Sequence, residues 1–290
     1  MTASAFGTHE IDVQDVEYLR HGDTPLLARI FKPRGGGPFP LVVSIHGGAW
    51  IRGDRLGDTP IHEPLARSGV VVASVDFRMP PDAGYPASMT DINYAIRWLK
   101  TRAAELGTRA DMVGVMGTSS GGQQAMLLGM RPHDPRYAAL PLPAVAGTAD
   151  ATVRCAILLW PVIDPLSRYR FARKLKEGGK PYPDVVDRVL PGHDQYWKTE
   201  EAMAEGSPVV ILERGERVEM PPALYLQGAA DTAHPRPDLD RFVAAYRKAG
   251  GQVELELYEG EVEGFLRNQA SPNGRRGMER LIEFVHKTLG

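Results

Sequence analysis

Cysteine is nearly absent from the 290 residues: Cys155 stands alone. No intrachain disulfide can form, and a reducing, cytoplasmic setting fits that scarcity. No apolar run approaches the roughly 20 residues that a spanning helix needs, so no membrane association is expected. The opening stretch, residues 1–10, has neither the basic start nor the apolar run of a secretory leader. Neither sign of charge is in excess, because 34 Lys and Arg face 36 Asp and Glu for a net charge of −2. Such a balance gives nucleic acid no global pull and leaves a small-molecule substrate as the expected partner. Repeats and low-complexity tracts are also missing. One further gap matters for chemistry: no histidine occurs between His234 and His286.

Hydrophobic residues make up 43% of the chain, enough for a large core, and residues 1–290 read as one domain. Short β-branched runs alternate with longer helix-like segments, the order of a mainly parallel sheet with helices on both faces. The expected strands are 11–18, 26–32, 41–45, 70–77, 112–116, 155–160, 223–227 and 253–258. The first two flank His21-Gly22-Asp23 and predict an antiparallel edge hairpin. Ile92, Ala95, Ile96 and Leu99 recur at helical spacing, with Asp91 placed to suit the positive end of that helix. Residues 164–208 break the alternation with charge and aromatics, and predict a small cap inserted over the sheet edge.

Gly117-Thr118-Ser119-Ser120-Gly121 follows one expected strand and precedes a helix-forming run. A serine exposed on so sharp a turn needs small neighbours, although small residues there are also ordinary turn chemistry. His46-Gly47-Gly48-Ala49-Trp50 follows another strand, and paired glycines can aim backbone N–H groups at a developing oxyanion. Both motifs fall at the C-terminal edge of one parallel sheet, where such sheets bind ligands.

On these residues the chain resembles the α/β-hydrolase superfamily, and within it the esterase and lipase branch related to hormone-sensitive lipase. His46-Gly47-Gly48, Asp76-Phe77-Arg78, Tyr85-Pro86-Ala87, Asp91, the stretch from Gly117 to Gly122, and Asp231 after Gln227-Gly228 carry the likeness. The resemblance implies an α/β-hydrolase fold with a mainly parallel eight-stranded sheet. It also implies hydrolysis of a carboxylic ester or amide through a Ser119 acyl-enzyme, with no cofactor. Gly47, Gly48 and Ser120 would form the oxyanion hole, and Asp231 would be the acid of the triad.

The family places its histidine just after the last strand, usually before Gly-Phe, and here Glu263 precedes Gly264-Phe265. A free Glu lies about 2 pKa units below His, about 3 kcal/mol weaker as a proton acceptor. Three accounts follow. Glu263 is itself the base, sharing a proton with a nearby Asp231 so that one pKa rises. Alternatively His234, three residues after Asp231, supplies the imidazole, where the plain alternative is a surface residue capping the turn before Pro235. Or the histidine is lost, and the pocket serves a non-hydrolytic reaction or ligand binding. Asp231, His234 and Glu263 could also hold zinc or manganese, but no ligand-spacing motif supports a metal site.

Other residues carry weaker signals. His46 is expected to brace the glycine loop, Trp50 to line the pocket or pack beside it, and Asp164 to cap the entry to the cap. Arg168, Arg170, Arg173, Lys174, Lys176 and Lys180 face only Glu177 in the local sequence and read as a solvated face. If one or two turned inward they would select a substrate carboxylate. Leu281, Phe284 and Val285 of the final helix either pack inward or contribute to a homodimer.

Overall fold

All eight β-branched runs become strands of one sheet, in the spatial order β1-β2-β4-β3-β5-β6-β7-β8. They are β1 Ile11–His21, β2 Thr24–Pro33, β3 Phe39–Ile45, β4 Val71–Val75, β5 Thr108–Thr118, β6 Ala156–Leu159, β7 Ala223–Gly228 and β8 Val253–Tyr258. The computed structural model describes residues 7–144 and 147–290. Residues 1–6, part of the stretch read for a leader, lie outside the described residues. The pairings β1 with β2 and β2 with β4 are antiparallel, and the five from β4 through β8 are parallel. A two-residue turn, Gly22-Asp23, closes the β1–β2 hairpin, with Gly22 at φ 57°.

Parallel strands need crossovers, and these supply the helices. The sequence runs α1 Thr59–Arg67 after β3, α2 Ala87–Thr101 and α3 Ala103–Leu106 after β4, and α4 Ser120–Met130 after β5. Four helices follow β6: α5 Pro165–Glu177, α6 Val185–Tyr196, α7 Glu200–Glu205 and α8 Pro208–Glu213. Helix α9 Arg236–Lys248 leads into β8, and α10 Pro272–Leu289 closes the chain.

Alternation along the strands divides the core in two. Leu41, Val43 and Ile45 of β3 pack with Ile92, Ile96 and Phe242 on one face. Val42 points to the other, among Leu65, Leu281, Phe284 and Val285. The apolar face of α10 is therefore spent on its own sheet. Residues Ile92, Ala95, Ile96 and Leu99 are all fully buried, as their spacing predicts. Asp91 differs from its expected role. Helix α2 starts at Ala87, so Asp91 lies in its second turn, fully buried, where it accepts from Arg78 and His21 rather than facing the helix end.

Between β6 and β7 a third cluster forms, in which Trp50 meets Tyr169, Val189, Tyr196, Trp197 and Met203. Trp50, in the loop after β3, joins this cluster to the first residue of α4 through its amide on Ser120 Oγ. Asp164 caps α5, accepting from the Ser167 amide at 3.1 Å.

Candidate active site

Ser119 occupies the single residue between β5 and α4, at φ 51° and ψ −117°. That conformation is costly for a side-chain residue, and its surroundings impose it. A Cβ on Gly117 would stand 2.2 Å from the Gly121 carbonyl oxygen, so strand and helix pass this closely only with glycine. The Ser119 amide donates to Leu159, and its carbonyl accepts from Val162, pinning the turn to β6.

Strands β3 and β5 are neighbours in register Ile45↔Gly117, which brings the loop after β3 beside the serine. A Cβ on Gly47 would lie 3.2 Å from the Ser119 Cβ. Gly48 has φ 120°, and a Cβ there would collide with the Arg52 carbonyl at 1.9 Å. The Trp50 amide donates to Ser120 Oγ at 3.2 Å, tying this loop to the first residue of α4. None of the amides of Gly47, Gly48 and Ser120 appears in the turn and cap hydrogen bonds of the described residues. That of Ser120 opens a helix, where N–H groups lack intrahelical partners. His46 braces the loop: its Nδ1 bonds the Gly47 carbonyl at 2.8 Å and its ring stacks on Phe77 at 4.3 Å. Burial lowers its pKa, so it stands neutral.

The base position differs from the first expectation. His234 Nε2 lies 3.0 Å from Ser119 Oγ, and His234 Nδ1 lies 2.8 Å from Asp231 Oδ2. The ring is buried rather than set on the surface, with its side chain 2% exposed and that of Asp231 1%. A short fold-back explains how residues three apart form this relay. Asp231 Oδ1 accepts from the amides of Ala233 and His234, leaving Oδ2 for the ring. Gln227, at the end of β7, donates to the His234 carbonyl at 3.0 Å and fixes the next point of the chain. Burial opposes ionisation of Asp231, but the bonds from His234 and these amides outweigh it and hold its carboxyl below the ordinary range.

Glu263 does not reach Asp231 to share a proton. Its carboxylate pairs with Arg188 of α6 at 2.6 Å, although it lines the same cavity as Ser119. Glu263 follows the last strand as expected from the sequence order, but its charge is already answered by a cation. The metal set allowed by the sequence is likewise not assembled, since no three His, Cys, Asp or Glu residues among the described ones gather as ligands. Trp50 is 1% exposed and packs, with Nε1 on Gln123 Oε1 at 2.9 Å and its ring stacked on Tyr196, instead of lining the cavity.

The cavity over Ser119 has a volume of about 380 Å³, in the range of small-molecule sites. Of the basic group in α5 and after it, most members face solvent carboxylates: Arg170 pairs with Glu200, Arg173 with Glu177, Lys176 with Asp187 and Lys180 with Asp184. Arg168 alone turns into the cavity wall.

Known proteins share this arrangement of chain. Esterase LipC of Mycobacterium tuberculosis is 28% identical over 225 residues, 75% of this chain and 52% of LipC. The probable carboxylic ester hydrolase LipM of the same organism is 26% identical over 74% of this chain and 47% of its own. This chain thus spans about half the length of these relatives. The versiconal hemiacetal acetate esterase of Dothistroma septosporum is 24% identical and covers 89% of this chain and 76% of its own. Among solved structures, the thermophilic carboxylesterase EstE1 from a metagenomic library superposes with TM-score 0.76 at 23% identity, over 99% of this chain and 93% of that one, a likeness of fold. Thermogutta terrifontis Est2, solved with propionate, gives 0.71 at 26% identity over 98% and 95%. The BD-FAE family model matches residues 29–236, a span that holds Ser119, Asp231 and His234 together, and the chain belongs to the BD-FAE family, on an α/β-hydrolase fold.

Proposed function

We propose that the protein is a serine hydrolase that cleaves a carboxylic ester through an acyl-enzyme on Ser119, with His234 as general base and Asp231 as the residue that orients it. The observation that carries this reading is the continuous relay from Ser119 Oγ to His234 Nε2 at 3.0 Å and from His234 Nδ1 to Asp231 at 2.8 Å. Asp231 accepts the Nδ1–H, which leaves the Nε2 lone pair to take the serine proton as Oγ attacks the ester carbon. The imidazolium formed is buried beside an ionised carboxylate, which stabilises it. The oxyanion of the tetrahedral intermediate is held by the amides of Gly47 or Gly48 and of Ser120, each worth on the order of 10²–10³ in kcat in comparable sites. His234 then protonates the departing alcohol, and a water activated by the same ring releases the acid. The names of the relatives, all esterases or ester hydrolases, agree with this chemistry.

A reading without hydrolysis depends on the lack of a base near Ser119, and the His234 contact counts against it. The test is covalent: a fluorophosphonate probe is expected to label Ser119, and 4-nitrophenyl butyrate to be turned over with a burst of nitrophenol. Loss of both in Ser119→Ala is the expected control. An unlabelled Ser119 in folded protein, with no ester turnover, would sink the proposal.

A further inference from the structure

Resting on that reading, we propose that the site is built for an ester that carries a free carboxylate, gripped by Arg168. The guanidinium is enclosed, at 3% exposure, in the wall of the cavity that holds Ser119. Among the described residues only its Nε finds a hydrogen-bond partner, donating to His193 Nε2 at 3.1 Å. Its Nη2 is buried with no hydrogen-bond partner among the described residues. Among the described residues no carboxylate stands at ion-pair distance from it, whereas the cavity's Arg188 is paired with Glu263 and Arg267 with the buried Asp58.

Glu263, Asp238 and Asp231 act on the Arg168 charge from beyond ion-pair distance, opposed by Arg188. The guanidinium carbon lies 5.3 Å from the Trp50 ring centroid, and His193 packs edge-on against the same ring. Burial and the Arg168 charge both push the His193 pKa down, so that imidazole accepts from Arg168 as a neutral ring. Burial also lowers the Arg168 guanidinium to about 10, which still leaves it charged at neutral pH. A buried guanidinium with open Nη donors is expensive, and removing a partner from such a group costs more than never burying it. A planar carboxylate entering the cavity supplies what is missing, because it matches the fork of an arginine through two parallel hydrogen bonds.

The test compares acidic esters with neutral counterparts of nearly the same shape: monomethyl against dimethyl glutarate for a charge on the acyl side, and 4-carboxyphenyl butyrate against its methyl ester for the alcohol side. At least one acidic ester is expected to show a kcat/KM tenfold or more above its neutral partner. Arg168→Gln is expected to bring that ratio to about one, and Arg168→Lys to retain part of it. If both ratios are one or below in the wild type, or the preference survives in Arg168→Gln, the proposal is overturned. Calorimetry with glutarate on Ser119→Ala gives a readout independent of turnover: millimolar or tighter binding, weakened at least tenfold by adding Arg168→Gln, is expected. Absent glutarate binding alongside turnover of neutral esters removes the anion site and leaves ester hydrolysis standing. Glutarate binding without Ser119 labelling does the reverse. Should Arg168→Gln fail to fold, the wild-type ratios and the Arg168→Lys variant decide.

Discussion

Two carboxylates compete for a role at the serine, and their partners separate them. Asp231 bonds the imidazole that touches Ser119, while Glu263 is spent on Arg188. His234→Ala is therefore expected to cut kcat by at least 10³, whereas Glu263→Gln changes turnover of a neutral ester by less than about tenfold, both read from steady-state kinetics with 4-nitrophenyl butyrate. Equal losses in the two would return Glu263 to the chemistry. Asp231→Asn keeps the size of the side chain but offers an amide to the ring, and a drop in kcat on the order of 10³–10⁴ is expected, with KM little changed. The serine and the glycines were legible in the sequence because their roles follow from backbone shape, which Gly-x-Ser-x-Gly and Gly-Gly record directly. The base was legible only as one of three accounts, because His234 turns inward through a fold-back in which Asp231 Oδ1 captures two amides. The signal was present as Asp-x-x-His directly before Pro235, a spacing that lets one carboxylate hold both the turn and the ring. Arg168 was legible only as a member of a basic run, since burial of one side of α5 depends on Trp50 from a distant loop.

At the scale of elements, the helix after the acid loop carries a liability beside the site. Asp238 of α9 is 5% exposed, and burial, with Asp164 nearby, raises its pKa from the ordinary 3.8 to about 6. The folded chain thus keeps this proton up to about pH 6, whereas the unfolded chain releases it near pH 4. Between those values the folded state binds more protons, so this group's contribution to stability falls as pH rises, by about 3 kcal/mol at most across the window. Asp238→Asn is expected to raise Tm at pH 7 and to do little at pH 4, a difference that scanning calorimetry at the two pH values checks. No gain at pH 7 would mean that Arg241, 3.8 Å away, already answers the charge. The strands and α2 were legible because a buried parallel sheet demands long apolar runs and its covering helices demand a stripe. The role of Asp91 was not, because its partners Arg78 and His21 come from segments far apart in the chain.

Across the whole molecule, cores on the two faces of the sheet share β3, whose seven residues are all buried, while α5 buries only four of its thirteen. Helices α5, α6 and α7 belong to a separate small cluster with Trp50 and Val162, whereas α8 joins the main core through Val209, Ile211 and Leu212. Native-state amide exchange is accordingly expected to be slowest in β3 and β5, and at least tenfold faster in α5. Uniform protection would mean that α5 and the sheet open as one cooperative unit.

The Asp231–His234 turn has a consequence for how this chain can be recombined. On the proposed mechanism, base and orienting carboxylate travel together in a segment that ends before α9, so everything from Arg236 onward contributes scaffold rather than reacting groups. A chimera that exchanges the last strand and closing helix for those of a distant relative would carry the whole relay with it, whatever residue the donor places after that strand.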